Sequence, residues 1–110
     1  MEDVEYESGP EVDFDWDEDK RLANLAKHRI DFVRAQRLFD GQRLYEKPSD
    51  RFGEVRFSST GSLDGRLVTV AWTWRGTTRR LISVRRARNA EERAYRELHE
   101  DRVGGDDRPR

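Results

Sequence analysis

The chain has 110 residues, of which 41% are charged and 34% are hydrophobic, and its formal net charge is -1. This length allows one domain with a modest core. The absence of cysteine excludes disulfides and Cys-ligated zinc. Because His28 and His99 are the only histidines and lie far apart, we expect no dedicated transition-metal site. The chain has neither an apolar run near ~20 residues nor a signal-peptide pattern, so we expect no membrane association and a cytoplasmic location.

Negative charge is concentrated at the N-terminus. Residues 1–19 hold ten acids and no Lys or Arg, which leaves 22 basic against 13 acidic residues in the rest of the chain, a net charge of +9. A body with this balance attracts polyanions, and nucleic acid is the first partner to consider. We expect an acidic flexible tail over residues 1–12, one domain over 13–102 and a second flexible tail over 103–110.

Two helices are predicted in the first half of the chain. Apolar residues at helical spacing, including Leu22 and Leu25, predict a helix that begins at Asp15-Trp16-Asp17 and runs to about residue 29. Asp31 has the character of an N-cap for a short helix over residues 32–39, which Asp40-Gly41 ends.

Strand patterns and one further helix follow. Strands are predicted over 44–46, 54–58, 66–74 and 78–84, with a loop through Pro48 to Asp50 and hairpin turns at Asp64-Gly65 and Arg75-Gly76. Asn89 and Glu92 have the spacing of a capping box before a last helix over 90–102. The order predicts an α+β fold, with two N-terminal helices, a mainly antiparallel sheet of about four strands and one C-terminal helix.

Polar residues form a stripe on the first predicted helix. The stripe contains Lys20, Asn24, Lys27 and His28, opposite Leu22 and Leu25. Such a stripe is often a solvated helix face. In a functional interpretation, the lysines and the asparagine bind phosphates, and the imidazole exchanges protons near neutral pH.

Arginines cluster around the last predicted strand. They are Arg79, Arg80, Arg85, Arg86 and Arg88. Strict alternation places Ile82, Val84 and Arg86 on one face, and Arg79, Leu81, Ser83 and Arg85 on the other. A guanidinium matches a phosphate in geometry, so this cluster suits an RNA backbone. The alternative for Arg85 is structural pairing with Glu91 or Glu92.

Glu54 and Arg56 share one face of a predicted strand. A ribonuclease that works without a metal needs a base for the ribose 2′-OH, a cation for the phosphate and an acid for the leaving oxygen. Glu54 or His28 fits the base, and Arg56 with Arg85 fits the clamp. A structural cross-strand charge pair is the alternative for Glu54 and Arg56. Trp72 and Trp74 are predicted to be packing residues, with base stacking as the alternative. Tyr95 is also predicted to pack, with proton donation as its alternative.

Taken together, these motifs resemble the BrnT toxin family. The resemblance lies in Trp16-Asp17, Lys20, Asn24 and Lys27-His28, in Glu54, Arg56 and Phe57, and in Ile82 to Ala87 followed by Glu91, Arg93 and Tyr95. Arg29 departs from the pattern, because the family commonly has Gly there.

The resemblance implies a RelE-like ribonuclease toxin that cleaves RNA without a metal or organic cofactor. Its catalytic residues would be His28, Glu54, Arg56 and Arg85, and its RNA contacts Lys20, Asn24, Lys27, Arg79 and Arg86. It also implies a BrnA-type ribbon-helix-helix antitoxin, with operator DNA bound only through the toxin–antitoxin complex.

Two rival interpretations stay open on the sequence. One is a nucleic-acid-binding module without catalysis, for which a basic body is sufficient. The other is a protein whose arginines seat an acidic antitoxin segment. A separate hypothesis is that residues 2–13 lie over the basic active surface as a polyanion mimic.

Overall fold

The computed structural model describes residues 12–51 and 53–103. The tails expected at 1–12 and 103–110 lie almost entirely outside these ranges and stay predictions. The elements, in chain order, are β1 (Phe14–Asp15), α1 (Glu18–His28), α2 (Phe32–Ala35) continued by a 3-10 turn (Gln36–Phe39), β2 (Tyr45–Arg51), β3 (Glu54–Leu63), β4 (Arg66–Arg75), β5 (Thr78–Arg86) and α3 (Asn89–Val103).

The strands form one five-stranded mixed sheet in the order β1-β5-β4-β3-β2. Neighbours pair antiparallel, except that β1 runs parallel to β5. The predicted α+β class is confirmed, but the sheet has one strand more than expected. The missed strand, β1, occupies residues where the first helix was expected to begin. The carboxylate of Asp17 accepts hydrogen bonds from the N–H groups of Asp19 and Lys20, so the helix begins after Asp17 and the preceding residues stay extended.

The first two long strands extend further than the sequence pattern indicated. β2 continues through Pro48 to residue 51, where a loop was expected, because an outermost strand tolerates a residue without an N–H. β3 continues to Leu63 and joins β4 through the predicted hairpin. At that turn Asp64 and Gly65 have φ of 53° and 82°, and two successive positive φ angles match the twist of a tight hairpin.

The hydrophobic core lies between α2 with its 3-10 turn and one face of the sheet, the core face. Phe32 and Leu38 from the helical segment are fully buried, as are Val70 and Val84 from the sheet. Trp72 belongs to this core as predicted, whereas Trp74 is 41% exposed. The second helix was predicted as one unit over residues 32–39 and instead tightens into the 3-10 turn after Ala35.

A β-bulge in β5 makes the predicted alternation of that strand wrong. Ser83 pairs with Ala71, but Leu81 pairs with Trp72, so Ile82 is an extra residue between them. Leu81 and Val84 therefore both point into the core, at 1% and 0% exposure. The prediction had placed them on opposite faces.

The C-terminal helix α3 begins as predicted but with a different cap. The Glu91 carboxylate accepts a hydrogen bond from the Arg88 N–H, whereas the Asn89–Glu92 pair had been expected to form the box. Tyr95 packs against His99 at 4.1 Å between ring centroids, in line with its predicted packing role. Among the helices of residues 12–51 and 53–103, none is both long and apolar enough to cross a membrane.

Candidate functional site

The face of the sheet opposite the core, which we call the open face, has small side chains at its centre. Ser58 pairs with Ala71, which pairs with Ser83, and all three are half-buried. Alternate residues of a strand share a face, so Arg56 and Glu54, two and four positions before Ser58 on β3, also lie on the open face. The row leaves a shallow surface that a chain-like ligand can approach.

A groove of about 240 Å³ lies at one end of this face, beside the first turn of α1. It is lined by Asp17, Lys20, Glu54, Arg56, Thr73, Arg75, Arg80, Leu81 and Ile82. Four of these residues carry positive charge and two carry negative charge. The groove therefore has an excess of cations, as a site for a phosphate chain requires.

Glu54 and Arg56 are the central charged pair of the groove. The distance from an Arg56 terminal nitrogen to Glu54 Oε1 is 3.7 Å, and the two side chains are 25% and 36% exposed. The Arg56 Nε is buried, and no acceptor for it lies in the described part of the chain. The partly exposed guanidinium end of Arg56 and the neighbouring carboxylate place hydrogen-bond donors and a proton acceptor in the same groove.

The side chain of Arg80, which lines the groove, is paired with a residue of strand β1. Its guanidinium lies 3.3 Å from Asp15 Oδ2, and Asp15 is the β1 residue that pairs with Arg80 in register. The short parallel strand thereby fixes the position of one groove cation. Arg80 belongs to the predicted arginine cluster but was not among the predicted site residues, and Arg75 was predicted only as part of a turn. The signal that could have found Arg75 and Arg80 is the register of the strands, which places both residues on the same face as Arg56.

Arg85 lies on the open face but outside the groove. Its guanidinium donates two hydrogen bonds to the Glu91 carboxylate, at 2.8 and 2.9 Å, and Thr69 donates a third at 2.9 Å. The hydrogen bonds from Arg85 lower the pKa of Glu91 to about 2. The predicted alternative of pairing with Glu91 is confirmed. The network fastens α3 to the sheet, about 13 Å along the strands from Arg56.

Asn24 is a structural residue of the sheet edge. Its side-chain oxygen accepts the Val84 N–H at 3.0 Å, and its amide donates to the carbonyl oxygens of Val84 and Ile30. Both amide atoms are therefore engaged within the protein, and the residue is 8% exposed. Of the polar stripe, Asn24 faces the edge of β5 while Lys20 and Lys27 are exposed. Leu22, which was expected to be buried, is half exposed.

His28 and Arg86 lie at a second groove, of about 650 Å³, at the other end of α1. Eight residues of helix separate His28 from Lys20, about 12 Å at 1.5 Å per residue. The second groove also contains Arg29 and Arg66, with Leu25, Ile30, Leu63 and Val68 as its apolar part. Lys27 is exposed and lines neither groove. The predicted catalytic residues are therefore not brought together in one site.

Arg79 is enclosed by aromatic rings on the core face. Its guanidinium carbon lies 4.1 Å from the ring centre of Phe39, 4.4 Å from that of Trp72 and 4.9 Å from that of Trp74. Burial lowers the pKa of this guanidinium. The contacts are of the cation–π type, and they hold Arg79 on the side of the sheet away from Glu54.

Within residues 12–51 and 53–103, no three His, Cys, Asp or Glu side chains cluster in a way that would hold a metal ion. The charged side chains of the groove are two carboxylates, Asp17 and Glu54, with a lysine and three arginines.

These observations define a small α+β protein with a cation-rich groove and a carboxylate on the open face of its sheet. The family model that matches the chain, over residues 16–91, describes the ribonuclease toxin BrnT of type II toxin–antitoxin systems. The chain belongs to this BrnT family. No curated protein matches it. Membership implies RNA as the target and an antitoxin as the partner.

Proposed function

We propose that the chain is a metal-independent, RelE-like endoribonuclease that cleaves RNA in the groove around Glu54 and so inhibits translation and growth. The observation that carries the proposal is the Glu54 carboxylate within 3.7 Å of Arg56, in a groove that also contains Lys20, Arg75 and Arg80. A base adjacent to several phosphate-binding cations is the minimum equipment for transesterification of RNA.

In this mechanism Glu54 accepts the proton of a ribose 2′-OH. The 2′-oxygen forms a bond to phosphorus while the bond from phosphorus to the 5′-oxygen breaks. Arg56, with Arg75 and Arg80, stabilises the added charge on the phosphate oxygens. Lys20 donates the proton to the leaving 5′-oxygen, because a guanidinium does not release a proton at neutral pH. The products are a 2′,3′-cyclic phosphate and a 5′-OH.

The arrangement favours Glu54 over His28 as the base. Both grooves have four cations besides the candidate base, but Glu54 lies 3.7 Å from Arg56 in its groove. His28 lies at the second groove with Arg29, Arg66, Arg86 and an Arg34 that pairs with Asp64. A base must come within hydrogen-bond reach of the proton it removes. A phosphate bound by Arg56 would therefore place the adjoining ribose close to Glu54 and not to His28.

Arg85 and the exposed Lys27 stay predicted contributors. The charge of Arg85 is paired with Glu91. We therefore propose that Arg85 holds α3 against the sheet and does not bind the reacting phosphate. Lys27, Arg79 and Arg86 are left as predicted RNA contacts outside the groove.

The partner is proposed to be a BrnA-type antitoxin with a ribbon-helix-helix DNA-binding part. In this proposal the toxin reaches operator DNA only through that complex, and both proteins act in the cytoplasm. The family assignment supports an antitoxin of some kind. The excess of cations in the Glu54 groove supports a partner segment rich in acids.

The test compares cleavage of structured RNA by the parent chain and three variants, without antitoxin and with EDTA present. We expect Glu54→Gln and Arg56→Ala to lower the rate by about 10²- to 10⁴-fold, the range for loss of a general base or charge stabiliser. His28→Ala is the matched control and should stay within about twofold of the parent, because His28 lies outside the groove.

Each other outcome has a distinct meaning. Loss of cleavage in His28→Ala with retention in Glu54→Gln would reverse the assignment of the base. RNA binding that falls with salt, with no cleavage by the parent, would favour the non-catalytic binding module. Complete dependence on an added divalent ion would refute the metal-independent mechanism.

A further inference from the structure

We infer that the second groove, at the C-terminal end of α1 and the hairpin that joins β3 to β4, binds an amphipathic helix of the antitoxin. This helix presents aliphatic side chains flanked by acids. The inference deepens the proposed function and rests on it for the identity of the partner. It assigns the anchoring of the antitoxin to the second groove and leaves the Glu54 groove to RNA cleavage.

The carboxylates of the second groove are already paired within this chain. Asp31 accepts hydrogen bonds from Arg21 at 3.0 and 3.1 Å and from the Val33 N–H at 3.0 Å. Asp64 accepts two hydrogen bonds from Arg34, at 2.8 and 2.9 Å. Because both acids are engaged in this way, they do not compensate the other cations of the groove.

Three exposed arginines that line the groove have no such partner. Within residues 12–51 and 53–103, none of Arg29, Arg66 and Arg86 forms an ion pair. They come from the C-cap of α1, from β4 and from the end of β5, so they line the groove from three different elements. A ligand with several carboxylates can pair with all three guanidinium groups.

The groove also has an aliphatic surface. Leu63 and Val68 are core residues at 7% and 2% exposure, and Leu25 and Ile30 are half-buried. The groove volume of about 650 Å³ lies in the range of pockets that enclose a drug-sized ligand, so several aliphatic side chains of a partner fit there. Covering such a surface with apolar groups removes it from water and favours binding.

These features distinguish the second groove from the Glu54 groove. The Glu54 groove has a volume of about 240 Å³ and two aliphatic lining residues, against four in the second groove. Two of its cations are already close to carboxylates, since Arg80 pairs with Asp15 and Arg56 with Glu54. Charge attracts acids to both grooves, but the larger aliphatic surface selects the second groove for an amphipathic partner.

The lining also favours a peptide over RNA. Unstacked bases of single-stranded RNA bind on aromatic rings or guanidinium planes. Among the residues that line the second groove, His28 provides the single aromatic ring, whereas four residues are aliphatic. An amphipathic helix with acids beside its apolar face matches both the aliphatic surface and the arginines. Membership of the BrnT family supplies the partner, since the family belongs to type II toxin–antitoxin systems.

The experiment measures the affinity of the full-length chain for its purified, fluorescein-labelled antitoxin by fluorescence anisotropy. Two variants change the groove, Arg66→Glu in its charge and Leu25→Ala in its aliphatic surface. Each has a matched control outside the groove. Arg43→Glu reverses another exposed charge, and Leu22→Ala shortens a half-exposed leucine of the same helix. Urea unfolding checks that all four variants are folded, and the exposed Arg66 keeps the test valid if Leu25→Ala is unstable.

At about 50 mM salt, we expect each groove variant to bind the antitoxin about tenfold more weakly than the parent, and each control to stay within about twofold. The loss in Arg66→Glu should shrink near 0.5 M salt, where ion pairs are screened, whereas the loss in Leu25→Ala should persist. Unchanged affinity in either folded groove variant, or an equal loss in a groove variant and its control, would overturn the inference.

A second set of measurements distinguishes the antitoxin from other occupants. Without antitoxin, RNA binding and cleavage by both groove variants should stay within about twofold of the parent. A tenfold loss of RNA affinity in these variants would assign the groove to RNA and overturn the inference. A dimer of the parent in analytical ultracentrifugation that Arg66→Glu dissociates would assign the groove to a second copy of the chain, with the same consequence. A parent that binds the antitoxin but does not cleave RNA would fail the proposed function and would still test the groove.

Discussion

Replacing Asn24 by alanine tests whether the polar stripe of α1 builds the fold or binds RNA. The substitution removes three hydrogen bonds and leaves the N–H and carbonyl of Val84, at a fully buried residue, without these partners. An orphaned buried polar group costs about 1–3 kcal/mol. We therefore expect Asn24→Ala to lower the free energy of unfolding by about 3 kcal/mol, which corresponds to a fall in Tm of about 12 °C or more for a domain of this size.

The assay is urea unfolding followed by tryptophan fluorescence, with Lys27→Ala as the matched control on the exposed side of the same helix. The control should stay within about 0.5 kcal/mol of the parent. An Asn24→Ala protein as stable as the parent, but with weakened RNA binding, would refute the structural role and restore Asn24 to the predicted RNA contacts.

Two further predictions concern stability. Because its pKa is lowered from 4.5 to about 2, Glu91 stabilises the fold above pH 4.5, and this contribution is lost as pH falls through about 2. Glu91→Gln should lower the free energy of unfolding by about 2 kcal/mol at pH 7, after discounting for partial exposure. In urea unfolding measured over a range of pH, the variant should lose less stability on acidification than the parent. An equal loss in both proteins would contradict the role of the Arg85–Glu91 pair. Arg29 ends α1 with φ of 63°, so Arg29→Gly should raise stability by about 1 kcal/mol in thermal unfolding, whereas Lys27→Gly in the helix body should lower it by about 1 kcal/mol. A loss of stability in Arg29→Gly would mean that its side chain outweighs the backbone strain.

Much of the fold could be predicted from residues that favour particular turns and helix caps. Asp64-Gly65 predicted its hairpin because few residue pairs accept two successive positive φ angles, and Asp31 predicted the start of α2 because its carboxylate accepts the Val33 N–H. Such signals are local, since the residues that cause the structure are neighbours in sequence. The α+β class followed from their order.

Long-range pairing accounts for most of what the sequence pattern missed. β1 has two residues, too few to show alternation, and it exists only because β5 offers a free edge beside it. The bulge at Ile82 is also invisible in a strand read alone, because it is defined by the register against β4. One extra residue moved Leu81 into the core.

The candidate site shows the same division. Glu54 and Arg56 were predicted to lie together because residues two positions apart on one strand share a face. Lys20 reaches them because α1 lies along the edge of β5, an arrangement that Asn24 holds and that helical spacing alone does not imply.

The separation of the two grooves follows from that edge arrangement. A helix that lies along a sheet edge presents its two ends at different places, so residues two turns apart are about 12 Å from each other. Lys20 and His28 belong to one stripe in sequence, yet they lie at the Glu54 groove and at the second groove. The stripe therefore combines a catalytic candidate, a structural amide and a histidine of another surface, and only the position of α1 on β5 distinguishes them.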